Sequence, residues 1–144
     1  MIVARRSPVG GAPPGGRADA HRSATAQRYR RVVELPSPLP PELAELIAQR
    51  FRVIGDQTRI RLLDRLRRGS ATVGELTDEI GGSQQNVSKH LGVLHQAGIL
   101  SRTKEGTAVR YAIADESVFA LCEQVCGGLR ERVSELDALL AQAS

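Results

Sequence analysis

Residues 81–100 read GGSQQNVSKHLGVLHQAGIL, and the fold turns on how this stretch is arranged. Val87, Leu91 and Leu94 recur at steps of four and three, the spacing of one face of a helix. Around them stand Gln84, Gln85, Asn86, Ser88, Lys89 and His90, with no acid in the stretch. A solvated face in a chain with 16 acidic residues would mix its signs. Ser83 is a good N-cap and Gly98 a stop signal, so a helix is predicted over 84–97. One side of it is greased. The other carries amides, hydroxyls and cations, the groups that suit phosphates and base edges.

Working upstream, Thr72-Val-Gly-Glu75 has the pattern of a capping box. It opens a shorter helix with Val73, Leu76 and Ile80 inward, ended by Gly81-Gly82. A helix, a short glycine-containing break and a second helix make a helix-turn-helix. Before it, the spacing predicts a helix over 57–68 with Ile60, Leu63 and Leu66 inward, ended by Gly69. A first helix begins at Pro40-Pro41, carries Leu43, Leu46, Ile47, Phe51 and Ile54, and stops at Gly55. Downstream, in LSRTKEGTAVRYAIA (100–114), Val109, Tyr111 and Ile113 alternate with smaller or charged neighbours, as in a strand. Glu105-Gly106 reads as the tight turn of a hairpin, which makes the helix-turn-helix a winged one. A long helix over 116–142 follows, with Val118, Cys122, Val125, Leu129, Val133, Leu136 and Leu140 in one stripe. The expected class is mainly α with a small β-hairpin (α+β): five helices, with the hairpin between the fourth and fifth.

Charge follows the same plan. Residues 1–40 hold seven arginines against Asp19 and Glu34. The stretch 59–110 holds nine basic and five acidic residues, while 111–144 holds two and six. A basic middle suits a polyanion partner, although surface scatter gives the same sum. All seven prolines lie at or before Pro41, so 1–39 is expected to be a disordered basic tail and 40–144 the folded domain. With 41% apolar residues, 3% aromatic and no apolar run long enough to span a bilayer, a cytoplasmic protein is expected. Two cysteines give no disulfide framework.

On the free side of the fourth helix, Gln84, Gln85 and Asn86 are able to bond adenine edges, Ser88 several edges, and Lys89 guanine or phosphate. The amides around Ser83 favour a phosphate. Arg102, Lys104, Thr107 and Arg110 place a basic wing beside that helix, fit to grip a backbone or minor groove. A solvated hairpin with a charged edge is the plainer reading. His90, at the rim, is counted with the DNA contacts as a phosphate donor, an inward bond that holds the helix being the alternative.

These segments resemble the ArsR/SmtB family of dimeric winged-helix repressors over about residues 42–140. The most telling parts are Gly55-Asp56 with Thr58-Arg59, Ser83 to Leu91, and Glu105-Gly106 before Val109-Arg110-Tyr111. The resemblance implies a homodimer on a pseudo-palindromic double-stranded DNA operator, released when an effector binds. It implies an interface of first and last helices, here Leu43, Leu46, Ile47, Val118, Val125, Leu129, Val133 and Leu136. The cysteine-rich and Asp/His metal motifs of the family's metal sensors are absent from the matching helices.

Cys122 and Cys126 stand one helical turn apart, near enough to share a soft metal or metalloid ion or to be oxidised. Two thiolates do not complete such a site, so a second chain would have to add its own. Cys122 also falls on the apolar stripe, where a cysteine acts as a small hydrophobe. No cofactor is required, and no nucleophile elbow, phosphate-binding glycine loop or zinc-protease helix points to an enzyme. The competing functions are a protein-docking winged helix, a regulator without a metal or redox switch, and a thiol-redox enzyme, which would want CxxC.

Overall fold

The computed structural model describes residues 33–142. The expected tail lies outside the described residues up to position 32, and 33–40 form no helix or strand. Five helices and three strands follow: α1 (Pro41–Ile54), α2 (Gln57–Leu66), β1 (Ala71–Thr72), α3 (Val73–Ile80), α4 (Gln84–Gln96), β2 (Leu100–Glu105), β3 (Ala108–Ile113) and α5 (Ser117–Gln142). They realise the expected mainly helical α+β winged architecture.

The helix α1 starts at Pro40-Pro41 with no side-chain cap, whereas α2, α3 and α4 each start where a side chain satisfies a backbone donor that has no partner within the helix. Asp56 accepts from the Arg59 amide at 3.0 Å at the head of α2. At α3 the capping box is complete: the Glu75 amide donates to Thr72 Oγ1 at 3.3 Å, and the Thr72 amide donates to Glu75 Oε2 at 2.7 Å. Ser83 accepts from the Asn86 amide at 3.1 Å and opens α4. Between α3 and α4, Gly82 takes φ +90, a left-handed conformation that a side chain would strain.

The core is one cluster to which nearly every element contributes. Leu62, Leu63 and Leu66 of α2, Leu76 of α3, and Val87, Leu91 and Leu94 of α4 meet Ile99, Leu100, Tyr111 and Val118. Leu62, Leu76, Leu91 and Leu94 are fully enclosed, each burial worth about 1.5–3 kcal/mol.

Several expectations need correcting. Ile60, expected inward, is 45% exposed, and Leu62 takes its place. The two lie two residues apart on α2, and the bulk of α3 and α4 sits against the side that bears Leu62. Phe51, which keeps the helical spacing of the apolar residues of α1, is 52% exposed. The helix α2 ends at Leu66 rather than Arg68. The hairpin turn is Gly106-Thr107, one residue later than expected, because Glu105 still pairs with Ala108. Gly106 has φ +59, as the first position of a type II′ turn requires. A third strand was not foreseen: β1 pairs antiparallel with β3 on the side away from β2, Ala71 against Tyr111 and Thr72 against Arg110. Two residues are too few to show an alternation.

Candidate nucleic-acid interface

The stripe of Val87, Leu91 and Leu94 fixes the rotation of α4, so its other face has to point outward. Ser83, Gln84, Gln85, Asn86, Ser88 and Lys89 are all exposed. None of the side chains from Gln84 to Asn86, nor Ser88 or Lys89, bonds to another described residue. An amide left free in this way keeps both its donors and its acceptor for a ligand.

The wing divides into two kinds of residue. Arg102, Lys104 and Thr107 are exposed and unengaged among the described residues. Arg110, expected beside them as a DNA contact, is half-buried and occupied. Its Nε donates to Glu105 Oε1 at 2.9 Å, its Nη1 donates to the Ser70 carbonyl at 3.2 Å, and Glu75 Oε2 lies 3.6 Å away. The hydrogen bond from the Thr72 amide, together with the Arg110 charge, holds the Glu75 carboxyl below its ordinary range.

A second polar cluster props α4 from behind. Arg59 donates from Nε to the Val53 carbonyl at 2.5 Å and from Nη2 to the Arg52 carbonyl at 3.1 Å, closing the last turn of α1. Its Nη1 lies 3.3 Å from His90 Nδ1, and Asp56 Oδ1 lies 3.8 Å from the same nitrogen. A guanidinium only donates, so Nδ1 is the acceptor and the ring proton sits on Nε2. His90 therefore makes the inward of the two bonds open to it. Neither Asp56 nor Arg59 stood among the expected site residues; Gly55-Asp56 with Thr58-Arg59 was read only as part of the family resemblance.

The expected interface residues scatter. Leu43 and Ile47 are half-buried and Leu46 is exposed. Val118 is enclosed in the chain's own core and offers a partner almost no surface. Val125, Leu129, Val133 and Leu136 lie 51–59% exposed along α5, with Leu140 beyond them. Cys122 is half-buried and Cys126 exposed, both reduced. Burial pushes the Cys122 thiol up, and the neighbouring Cys126 adds to the rise. Among the described residues no three His, Cys, Asp or Glu side chains gather as a metal site, and no helix is long and apolar enough to cross a membrane.

Residues 54–103, from the end of α1 into β2, match the family model described as a helix-turn-helix domain. The regulator Rv0081 of Mycobacterium tuberculosis is 34% identical over 107 residues, which are 71% of this chain and 94% of that protein. The crystal structure of Rv0081 superposes with a TM-score of 0.59, covering 67% of this chain and 96% of that one. The transcriptional repressor SmtB of M. tuberculosis is 31% identical over 90 residues, which are 62% of this chain and 67% of that protein. The chain belongs to the ArsR/SmtB family. KmtR of M. tuberculosis, an HTH-type transcriptional regulator, is 32% identical over 83 residues, and the match spans 64% of that protein. The homodimeric winged helix-turn-helix DNA-binding domain of Mb0332 of Mycobacterium bovis, a possible ArsR-family transcriptional regulator, is 27% identical. It superposes with a TM-score of 0.55 over 62% of this chain and 83% of that one.

In this ArsR/SmtB chain the support of α4 has an acid-labile part. The hydrogen bond from the Arg59 amide, helped by the positive charge of the Arg59 guanidinium, holds the Asp56 carboxyl below its ordinary value against the opposing effect of burial. A carboxyl depressed by folding stabilises the fold above its unfolded pKa, about 3.9, and loses that contribution as pH falls through the folded value. Asp56→Asn should therefore lower the melting temperature at pH 6, and the gap from wild type should close towards pH 2.5. A constant gap across that range would show that the charge of Asp56 contributes nothing.

Proposed function

We propose that the chain is a sequence-specific DNA-binding transcriptional regulator that acts as a homodimer and leaves its operator when an effector binds. The carrying observation is the outward face of α4. Gln84, Gln85, Asn86, Ser88 and Lys89 point away from an apolar anchor, are bonded to nothing else described, and stand beside the free cations Arg102 and Lys104. A helix fits a major groove roughly 12 Å wide only when anchored from one side in this way. Gln85 and Ser88 read base edges, Lys89 meets guanine or phosphate, and the wing residues with Thr107 hold the backbone. Ser83 and the α4 amides next to it hold a phosphate, and His90 Nε2 is the one ring donor left for another.

The dimer contact is assigned to α5. A seam of five exposed aliphatic residues on a helix about 39 Å long is too much apolar surface for a lone subunit to leave in water. Gly127 and Gly128 lie on the same helix with open space where a side chain would project, leaving room for a close neighbour. Leu43, Leu46 and Ile47 of α1 complete the contact.

The effector is assigned to Cys122 and Cys126. Their placement beside the seam lets a second chain contribute the thiols a soft metal or metalloid ion would need. The raised Cys122 thiol disfavours sensing through an activated thiolate there, so the soft ion is preferred to the oxidant.

Three measurements test these assignments. Gln85→Ala with Ser88→Ala should weaken binding to the chain's own upstream DNA and relax its sequence preference, whereas Lys104→Ala should lower the salt slope by about 1. Binding unmoved by either would favour protein docking instead. Leu129→Lys with Val133→Lys should yield monomers by sedimentation; a dimer that survives would place the contact elsewhere. Arsenite or zinc should release the DNA complex of the wild type but not of Cys122→Ser with Cys126→Ser, and equal release from both would exclude the thiol pair.

A further inference from the structure

We propose that Arg110 is a positioning residue that sets the wing against the helix-turn-helix through Glu75, and that it does not itself hold a phosphate. The proposal rests on the DNA-binding reading above and deepens it by assigning the wing's one occupied cation a different task from its free ones.

The geometry is a three-way bracket. Arg110 lies on β3, with Thr72 of β1 as its register partner on one side and Thr103 of β2 on the other. Its guanidinium reaches Glu105 at the tip of β2, the Ser70 carbonyl ahead of β1, and Glu75 in the first turn of α3. The Glu75 oxygen nearest Arg110 is the one that takes the Thr72 amide in the capping box. One oxygen thus both starts the first helix of the helix-turn-helix and holds the wing. The path from wing to reading helix is short: β3, Arg110, Glu75, α3, then the tight Gly81-Gly82 turn into α4.

The charges point the same way. Arg110 brings one positive charge to two carboxylates, and Arg65, whose charge also acts on Glu75, is itself paired with Glu79, so the cluster offers a phosphate no net positive charge. Arg102 and Lys104 have no such neutralising partners among the described residues. The planar, forked guanidinium suits a bracket with several acceptors, a task for which the point charge of lysine is a poor replacement.

Electrostatics alone and positioning predict opposite signs for one substitution. Glu75→Gln removes a negative charge near the DNA, which by itself tightens binding. Glutamine still accepts the Thr72 amide, so α3 keeps its cap while the hold on Arg110 is weakened. The test uses the full chain and a duplex that the wild type enriches from a random-sequence pool. Positioning predicts that Glu75→Gln and Arg110→Lys each weaken binding about tenfold, the scale of one lost specific contact. It also predicts that the salt slope and the affinity for a scrambled duplex stay unchanged, as does the melting temperature within a few degrees. Equal or tighter binding by Glu75→Gln overturns the proposal, as does wild-type affinity in Arg110→Lys, the mark of a phosphate contact. Equal losses on the enriched and scrambled duplexes also overturn it, because they mark general destabilisation. Failure of the wild type to enrich any duplex removes the DNA-binding reading itself, an outcome separate from the others.

Discussion

Everything that α4 can do depends on three aliphatic side chains on one of its faces. Val87, Leu91 and Leu94 are driven into the cluster built by Leu62, Leu63, Leu66 and Leu76. Burial has no direction of its own, but a stripe on a cylinder has. Once it is buried, the rotation of the helix about its axis is settled, and with it the outward aim of Gln85, Ser88 and Lys89. Among the described residues no charged or amide side chain is buried, so the anchor of α4 is aliphatic and its outward face polar.

Rotation is not the whole of orientation, since an apolar stripe leaves a helix some freedom to slide and tilt. Directional contacts remove that freedom. Arg59 ties the end of α1 to His90 in the middle of α4. Arg50 donates to the Ala97 carbonyl at 3.3 Å, just past the end of α4, and pairs with Asp115 ahead of α5. Arg61 donates to the Ile80 carbonyl at 3.1 Å where α3 ends. Arginines from the first two helices thus close exposed carbonyls at the ends of their neighbours. Much of the basic charge of this region is therefore spent on the scaffold, which leaves Lys89, Arg102 and Lys104 as the free cations nearest the reading face.

Sequence reading succeeded where the signal was local. The helix starts at Thr72 and Ser83, the alternation of β3 and the buried stripe of α4 each lie within a few residues. It failed where a distant partner decided the outcome. Ile60 and Leu62 are both compatible with a helical stripe, and only the position of α3 and α4 selects Leu62. Arg110 looks in sequence like any basic wing residue, and its occupation depends on Glu75 and Ser70, which the β1–β3 pairing brings to it. Val118 fits the α5 stripe by spacing, yet the first turn of that helix packs on its own chain while the later turns do not.

That last division has a physical consequence for α5. Its first turns are tied down: Val118 is enclosed, Asp115 accepts the Ser117 amide at 2.9 Å, and the Arg67 guanidinium lies 5.3 Å from the centre of the Phe119 ring. Beyond Cys122 the helix has no buried residue. An isolated helix of that length gains little from propensity alone, particularly with two glycines in its middle, each costing about 1 kcal/mol. The proposed dimer contact would supply a second apolar surface along Val125 to Leu140. The cysteine pair falls at the boundary between the part of α5 packed on this chain and the part left exposed. A ligand gripping Cys122 and Cys126 would act at the point where a change in the angle of α5 alters the partner contact without disturbing the core.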